Sequence, residues 1–151
     1  MKRRLPLSGR KDRTTFGGLS RSALMSRVRS SGNATTELKL LALLRAARVI
    51  GWRRKQHVVG KPDFVFHRER LAVFVDGCFW HGCPAHCRMP RSRVAFWSKK
   101  ISRNKNRDRE VGRLLRRRGW RVVRIWEHAL RNADRVVARL QAALASRGGK
   151  R

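Results

Sequence analysis

The sequence predicts an α/β domain: a mixed β-sheet flanked by helices, with a zinc-stabilised loop inserted in it. Three observations carry this expectation. The apolar runs follow one another in the order α-β-β-β-α-β-α. The segment from Leu71 through a long basic helix to Trp126 reads as a β-α-β unit, whose two strands should be parallel neighbours, since the helix carries the chain back to the starting edge. All three cysteines lie within ten residues, 78–87, between the third strand and that helix.

The elements follow in order. Residues 1–24 hold seven Lys/Arg against one Asp and show no apolar period, so they read as a disordered basic arm. Residues 25–146 form the domain, and 147–151 a loose tail. Thr35 and Thr36 can cap a first helix, with Glu37 in its first turn where a carboxylate suits the dipole. Leu38, Leu41 and Leu44 recur at helical spacing, and Gly51 is read as its terminator. Strands are expected at 55–59, 63–66 and 71–75, with His67-Arg-Glu-Arg70 as the turn between the last two. Residues 76–98 have no period. A helix is expected at 99–118, with ten Lys/Arg among its residues and Gly119 as its C′ residue. Trp120 to Trp126 reads as a strand, and 132–146 as a closing helix.

Composition narrows the partner. Thirty-nine Lys/Arg against nine Asp/Glu give a formal charge of +30 over 151 residues, which favours a polyanion. No run approaches the roughly 18 apolar residues of a membrane span, and no apolar stretch follows the basic N-terminus. A cytoplasmic location is therefore expected, nucleoid-associated in a bacterium. Clustered cysteines with interleaved histidines point to metal rather than disulfides.

Two carboxylates then stand out in a chain so short of acids. Asp63 follows Pro62 at the head of one strand; Asp76 ends the next. In an antiparallel pair these positions converge. Oxygen ligands of this kind suit Mg²⁺, which polarises a phosphate and acidifies water. Each alone reads as a turn residue; together in so basic a chain they read as a metal site. The pattern resembles the Pro-Asp…(Asp/Glu)-x-Lys core of restriction-endonuclease-like nucleases, with Cys78 where the lysine usually stands. His81, three residues on, can serve as a base or charged donor, or else as a zinc ligand or phosphate contact. Cys78, Cys83, His86, Cys87 and the distant His128 offer five candidate ligands for a four-coordinate structural zinc. Phe79 and Trp80, with Trp97 as a further candidate, can wedge between base pairs. Phe96, Trp120 and Trp126 read as packing residues.

Pro-Asp-Phe-Val, Val-Asp-Gly-Cys-Phe-Trp-His-Gly-Cys-Pro, Phe-Trp-Ser-Lys-Lys-Ile-x-x-Asn, Arg-Asp, Gly-Trp-Arg-Val and Ile-Trp-Glu occur in this order. From Met25 to about Leu130 the chain resembles the very-short-patch-repair (Vsr) DNA mismatch endonuclease family. The resemblance implies nicking of double-stranded DNA on the 5′ side of the thymine in a T:G mismatch left by 5-methylcytosine deamination. It implies Mg²⁺ chemistry at Asp63 assisted by Asp76 and His81, with Glu37 near the site, and a structural Zn²⁺. Intercalation falls to Phe79, Trp80 and Trp97, and contacts near the mispair to Met25, Lys100 and Asn104. His128 stands where the family commonly has cysteine, and Cys87 is an extra thiol, so the four zinc ligands stay open among the five candidates. The enzyme is expected to be a monomer, with mismatch-repair proteins as candidate partners. A non-catalytic zinc-stabilised DNA-binding protein is the alternative reading. A restriction enzyme cutting both strands is a third, against which the wedge loop and the lack of an obvious dimer surface argue.

Overall fold

The computed structural model describes residues 36–146. The basic arm 1–24, Met25 and the tail 147–151 lie outside the described residues. The described elements are α1 (Glu37–Ala46), β1 (Trp52–Arg53), β2 (Phe64–Phe66), β3 (Leu71–Asp76), α2 (Val94–Arg117), β4 (Arg121–Trp126), a 3-10 turn (Glu127–Arg131) and α3 (Ala133–Ala145). The four strands form one mixed sheet in the order β1-β2-β3-β4. β1, β2 and β3 pair antiparallel. β4 pairs parallel to β3, from Leu71 opposite Arg121 to Asp76 opposite Trp126, as a β-α-β crossover requires.

The sheet separates two apolar layers because successive side chains of a strand point to opposite faces. Phe64, Phe66, Leu71, Val73 and Ile125 pack with Leu40, Leu44, Val136 and Leu140 of α1 and α3. On the other face Ala72 and Phe74 pack with Leu115 of α2, under Val58, Val111, Trp120 and Val122. Burial on both faces explains why β3 reads as a continuous apolar run rather than an alternating one.

Four expectations need correction. The first strand is Trp52–Arg53, not 55–59. Trp52 pairs with Phe66 and packs edge-on against Phe64 at 5.7 Å, whereas Val58 and Val59 lie in a loop closed by Lys61 N–H to the Val58 carbonyl at 2.9 Å. Those valines are apolar because the loop covers the α2 face of the sheet. The first helix ends at Ala46. Val49 N–H reaches the Leu44 carbonyl at 2.9 Å and Arg48 N–H the Arg45 carbonyl at 3.0 Å, with Arg48 at φ 51°. This is a Schellman closure with arginine where glycine is usual, so Gly51 is not the terminator. α2 starts at Val94, five residues before the expected 99, which places Phe96 and Trp97 in its first turn. Phe96 is 45% exposed there and not a core residue.

The other end of α2 follows the expected chemistry. Gly119, at φ 74°, is its C′ residue; Gly119 N–H bonds the Arg116 carbonyl at 2.9 Å and Trp120 N–H the Leu115 carbonyl at 2.9 Å. This closure turns the chain directly into β4. Among the described residues, no helix is long and apolar enough to cross a membrane.

Candidate active site and metal knuckle

The end of β3 and the start of β2 meet beside α2, and the carboxylates gather there. Asp63 precedes β2 and its Oδ2 accepts the Val75 N–H at 2.7 Å, so the antiparallel pairing brings Asp63 to the end of β3 as expected. Asp76 is 4% exposed. Both its oxygens are held by Arg124 of β4, Nε to Oδ2 and Nη2 to Oδ1, each at 2.6 Å. Arg124 Nη2 also lies 3.0 Å from Oδ1 of Asp108 on α2. His81 Nδ1 is 2.6 Å from Asp108 Oδ2 and 3.7 Å from Asp76 Oδ1. Glu37, also 4% exposed, is gripped by Arg54, whose Nε lies 2.8 Å from Oε1 and whose Nη2 contacts the same oxygen.

The electrostatics are uneven across this cluster. Burial raises the Asp63 carboxyl from its ordinary 3.8 to about 6. The Val75 N–H opposes that rise, while the charges of Glu37 and Asp76 add to it. Burial also works against the Asp108 anion, but the hydrogen bond and charge of His81, with Arg124, leave its carboxyl below the usual range. Arg124 is held charged by Asp76 and Asp108 despite its own burial. Asp63 is thus the carboxylate least compensated by protein cations. A hard divalent ion fits such a position.

The loop after β3 forms a second centre. Cys78, Cys83, His86 and His128 bring their ligand atoms within 4.8 Å of one another. Cys78 Sγ is 3.2 Å and Cys83 Sγ 3.6 Å from His128 Nδ1, and Cys83 Sγ is 3.8 Å from His86 Nδ1. Tetrahedral zinc, with bonds of ~2.3 Å to sulfur and ~2.05 Å to nitrogen, needs sulfur–nitrogen separations of about 3.6 Å. Two thiols and two imidazoles at these spacings fit a soft or borderline metal. Burial raises the Cys78 thiol above its ordinary value, a cost that a bound cation would offset. Cys87, the fifth candidate, turns its Sγ to the Phe79 carbonyl at 3.7 Å instead.

Phe79 and Trp80, next in sequence after Cys78, form an aromatic cluster with Trp97. Phe79, Trp80 and Trp97 pack edge-on, with ring centroids 5.2–6.0 Å apart. Asn104 Nδ2 donates to the Trp80 carbonyl at 2.8 Å, and Lys100 Nζ sits 5.7 Å from the Trp80 ring. The structure therefore brings Glu37, Asp63, Asp76 and His81 into one charged cluster, and Cys78, Cys83, His86 and His128 into a separate group that could hold a metal. Lys100 and Asn104 flank the aromatics; Met25 lies outside the described residues.

Three residues of the charged cluster escape a reading of the sequence. Asp108 is hidden among the many basic residues of α2, and its only signal is the Arg-Asp pair. Arg124 reads as one more cation in an apolar strand. Arg54 lies just before the segment that the sequence marks as the first strand.

Comparison with known proteins decides the family. Residues 14–89 match the family model described as DNA mismatch endonuclease Vsr. The chain belongs to this family. It is 40% identical over 130 residues to the type II nicking enzyme V.XorIIP of Xanthomonas oryzae pv. oryzae, covering 82% of this chain and 91% of that protein. It is 42% identical over 80 residues to the DNA mismatch endonuclease Vsr of Escherichia coli K12, covering 51% of this chain and 50% of that one. With the type II nicking enzyme V.NaeI of Lentzea aerocolonigenes it shares 54% identity over 68 residues, 45% of this chain and 41% of the relative. Thus the chain spans half or less of two of these relatives and nearly all of the third.

Proposed function

We propose that this protein is a Mg²⁺-dependent endonuclease that nicks duplex DNA on the 5′ side of the thymine in a T:G mismatch. The observation that carries the reading is the convergence of Asp63, Asp76 and His81 beside an aromatic cluster on a loop with its own metal-ligand group. Asp63 would hold the Mg²⁺, with Glu37 and Asp76 adding negative field. Bound there, the ion supplies a Lewis acid for the phosphate and a more acidic water. Asp76 has both oxygens committed to Arg124, so its part is electrostatic and positional. His81 offers its outer ring nitrogen as the proton acceptor for the attacking water. Asp108 orients the imidazole.

Zn²⁺ would be held by Cys78, Cys83, His86 and His128. Its work is structural: it ties the loop that carries Phe79 and Trp80 to the turn after β4. Those rings, with Trp97, would enter the base stack. A T:G wobble is held more weakly than a Watson–Crick pair, so wedging beside it costs less. Unstacking costs a few kcal/mol and is partly offset by stacking of ~1–3 kcal/mol per base on the aromatics. Lys100 and Asn104, both against Trp80, would hold the displaced pair. The formal charge of +30 supplies sequence-independent phosphate attraction with steep salt dependence.

A non-catalytic DNA-binding role is disfavoured by the acids themselves. A protein that only bound phosphate would gain nothing from gathering Asp63, Asp76, Asp108 and Glu37 in one cluster. The test uses two duplexes differing at one base pair, T:G and T:A, each strand labelled separately. With Mg²⁺, a single nick in the thymine strand of the T:G duplex is expected. Equal cutting of both duplexes, or of both strands, would overturn the mismatch reading.

A further inference from the structure

We propose that Arg124 is a positioning residue for strand cleavage, clamping Asp76 to Asp108 so that His81 keeps a single orientation. The inference rests on the nuclease reading of the site. Arg124 stands on β4 opposite Phe74 of β3. Its guanidinium lies 4.8 Å from the Phe74 ring and runs on to Asp76, two residues further along. One planar head then makes three contacts, two at 2.6 Å to Asp76 and one at 3.0 Å to Asp108. It therefore ties the last residue of β3 to the middle of α2 across the site.

His81 depends on this clamp. Its Nδ1 faces Asp108 at 2.6 Å and Asp76 at 3.7 Å. Carboxylates only accept, so Nδ1 carries the proton and Nε2 is the nitrogen left for water or substrate. Two carboxylates approaching one ring nitrogen repel each other. Arg124, the cation shared between them, offsets that repulsion. A lysine would not replace it, because a single ammonium lacks the fork that spans two oxygens of Asp76 and one of Asp108.

Stability alone does not account for Arg124. Its Nη1 is buried without a hydrogen-bond partner, a cost that folded proteins tend to tolerate at working sites. Partly buried ion pairs are seldom better for stability than apolar packing, and its neighbours on the face, Phe74 and Val122, are apolar.

The test uses the full chain with zinc and Mg²⁺, in R124M and, should that variant fold poorly, R124Q. Single-turnover nicking of the T:G duplex should fall by about 10²-fold, the usual loss when a reacting group is displaced by about 1 Å. Affinity for the duplex should change by less than about threefold, because Arg124 contacts Asp76, Asp108 and Phe74 and none of the three wedge rings. In the H81A background the same substitution should add nothing, since residues acting as one unit are non-additive. A wild-type rate in R124M, or losses that multiply in the double variant, would overturn the proposal. Long-range ¹⁵N NMR of the His81 ring judges it without any cleavage. One tautomer, protonated at Nδ1, is expected in the wild type and a mixture in R124M. An unchanged tautomer would overturn the proposal even if the nuclease reading stands. If the wild type cuts no duplex, the nuclease reading fails and the ring NMR alone decides for or against the clamp.

Discussion

Replacing Asp63 by asparagine should destroy nicking and yet make the Mg²⁺-free protein more stable. Burial and the charges of Glu37 and Asp76 raise the Asp63 carboxyl from 3.8 to about 6. At about 1.4 kcal/mol per tenfold change in proton affinity, that rise corresponds to roughly 3 kcal/mol. The sign follows from which form the fold favours. The raised value means the folded state prefers the protonated carboxyl. Its contribution is full below pH 3.8 and is lost as pH rises through about 6. At pH 8 the wild type therefore carries the whole penalty. The introduced carboxamide keeps an oxygen to accept the Val75 N–H, which Asp63 does at 2.7 Å, and carries no charge at any pH. Urea denaturation without Mg²⁺, zinc retained, should show D63N more stable by up to roughly 3 kcal/mol at pH 8 and by about half that at pH 5. Saturating Mg²⁺ should close the gap, because an ion that binds only the folded wild type stabilises it. A variant no more stable than wild type at pH 8, or a gap that ignores pH, would show that the buried Asp63 charge costs the fold nothing.

Three further outcomes are expected. Zinc should copurify at about one atom per chain and be lost in C78S and H128A, which should unfold early, because structural metal binding is folding energy; C87S should keep both metal and melting temperature, as native mass spectrometry and thermal melts would show. Trp80→Ala or Trp97→Ala should weaken binding to T:G DNA by about 1–3 kcal/mol in anisotropy titrations and to T:A DNA far less; equal losses on both would leave these rings as packing residues only. Gly60→Ala should destabilise the fold by about 1–3 kcal/mol, since Gly60 sits at φ +78° and a Cβ there would lie 2.2 Å from Val111 Cγ1; V111A should recover part of that loss in denaturation curves.

Much of this arrangement is legible in the sequence because it rests on local signals. The β3-α2-β4 unit shows in two apolar runs around an amphipathic helix closed by Gly119. The convergence of Asp63 and Asp76 follows from their positions at opposite ends of paired strands. What escapes is what only tertiary packing decides. Val58 and Val59 look like a strand because they are apolar, yet they cover a sheet face from a loop. Cys87 has the same chemistry as Cys83 and lies one helical turn on, with its N–H on the Cys83 carbonyl at 3.0 Å. Its thiol nonetheless turns to the Phe79 carbonyl, and no spacing rule foretells that. Asp108 and Arg124 are 16 residues apart in sequence and meet only because α2 folds back over the sheet.

Single-turnover nicking of a labelled T:G duplex by wild type and D63N, with Mg²⁺ and enzyme in excess over DNA, asks directly whether Asp63 holds the chemistry. One nick in the thymine strand is expected from the wild type, and none from D63N although it still binds the duplex. Cutting by D63N at the wild-type rate would place the chemistry away from Asp63.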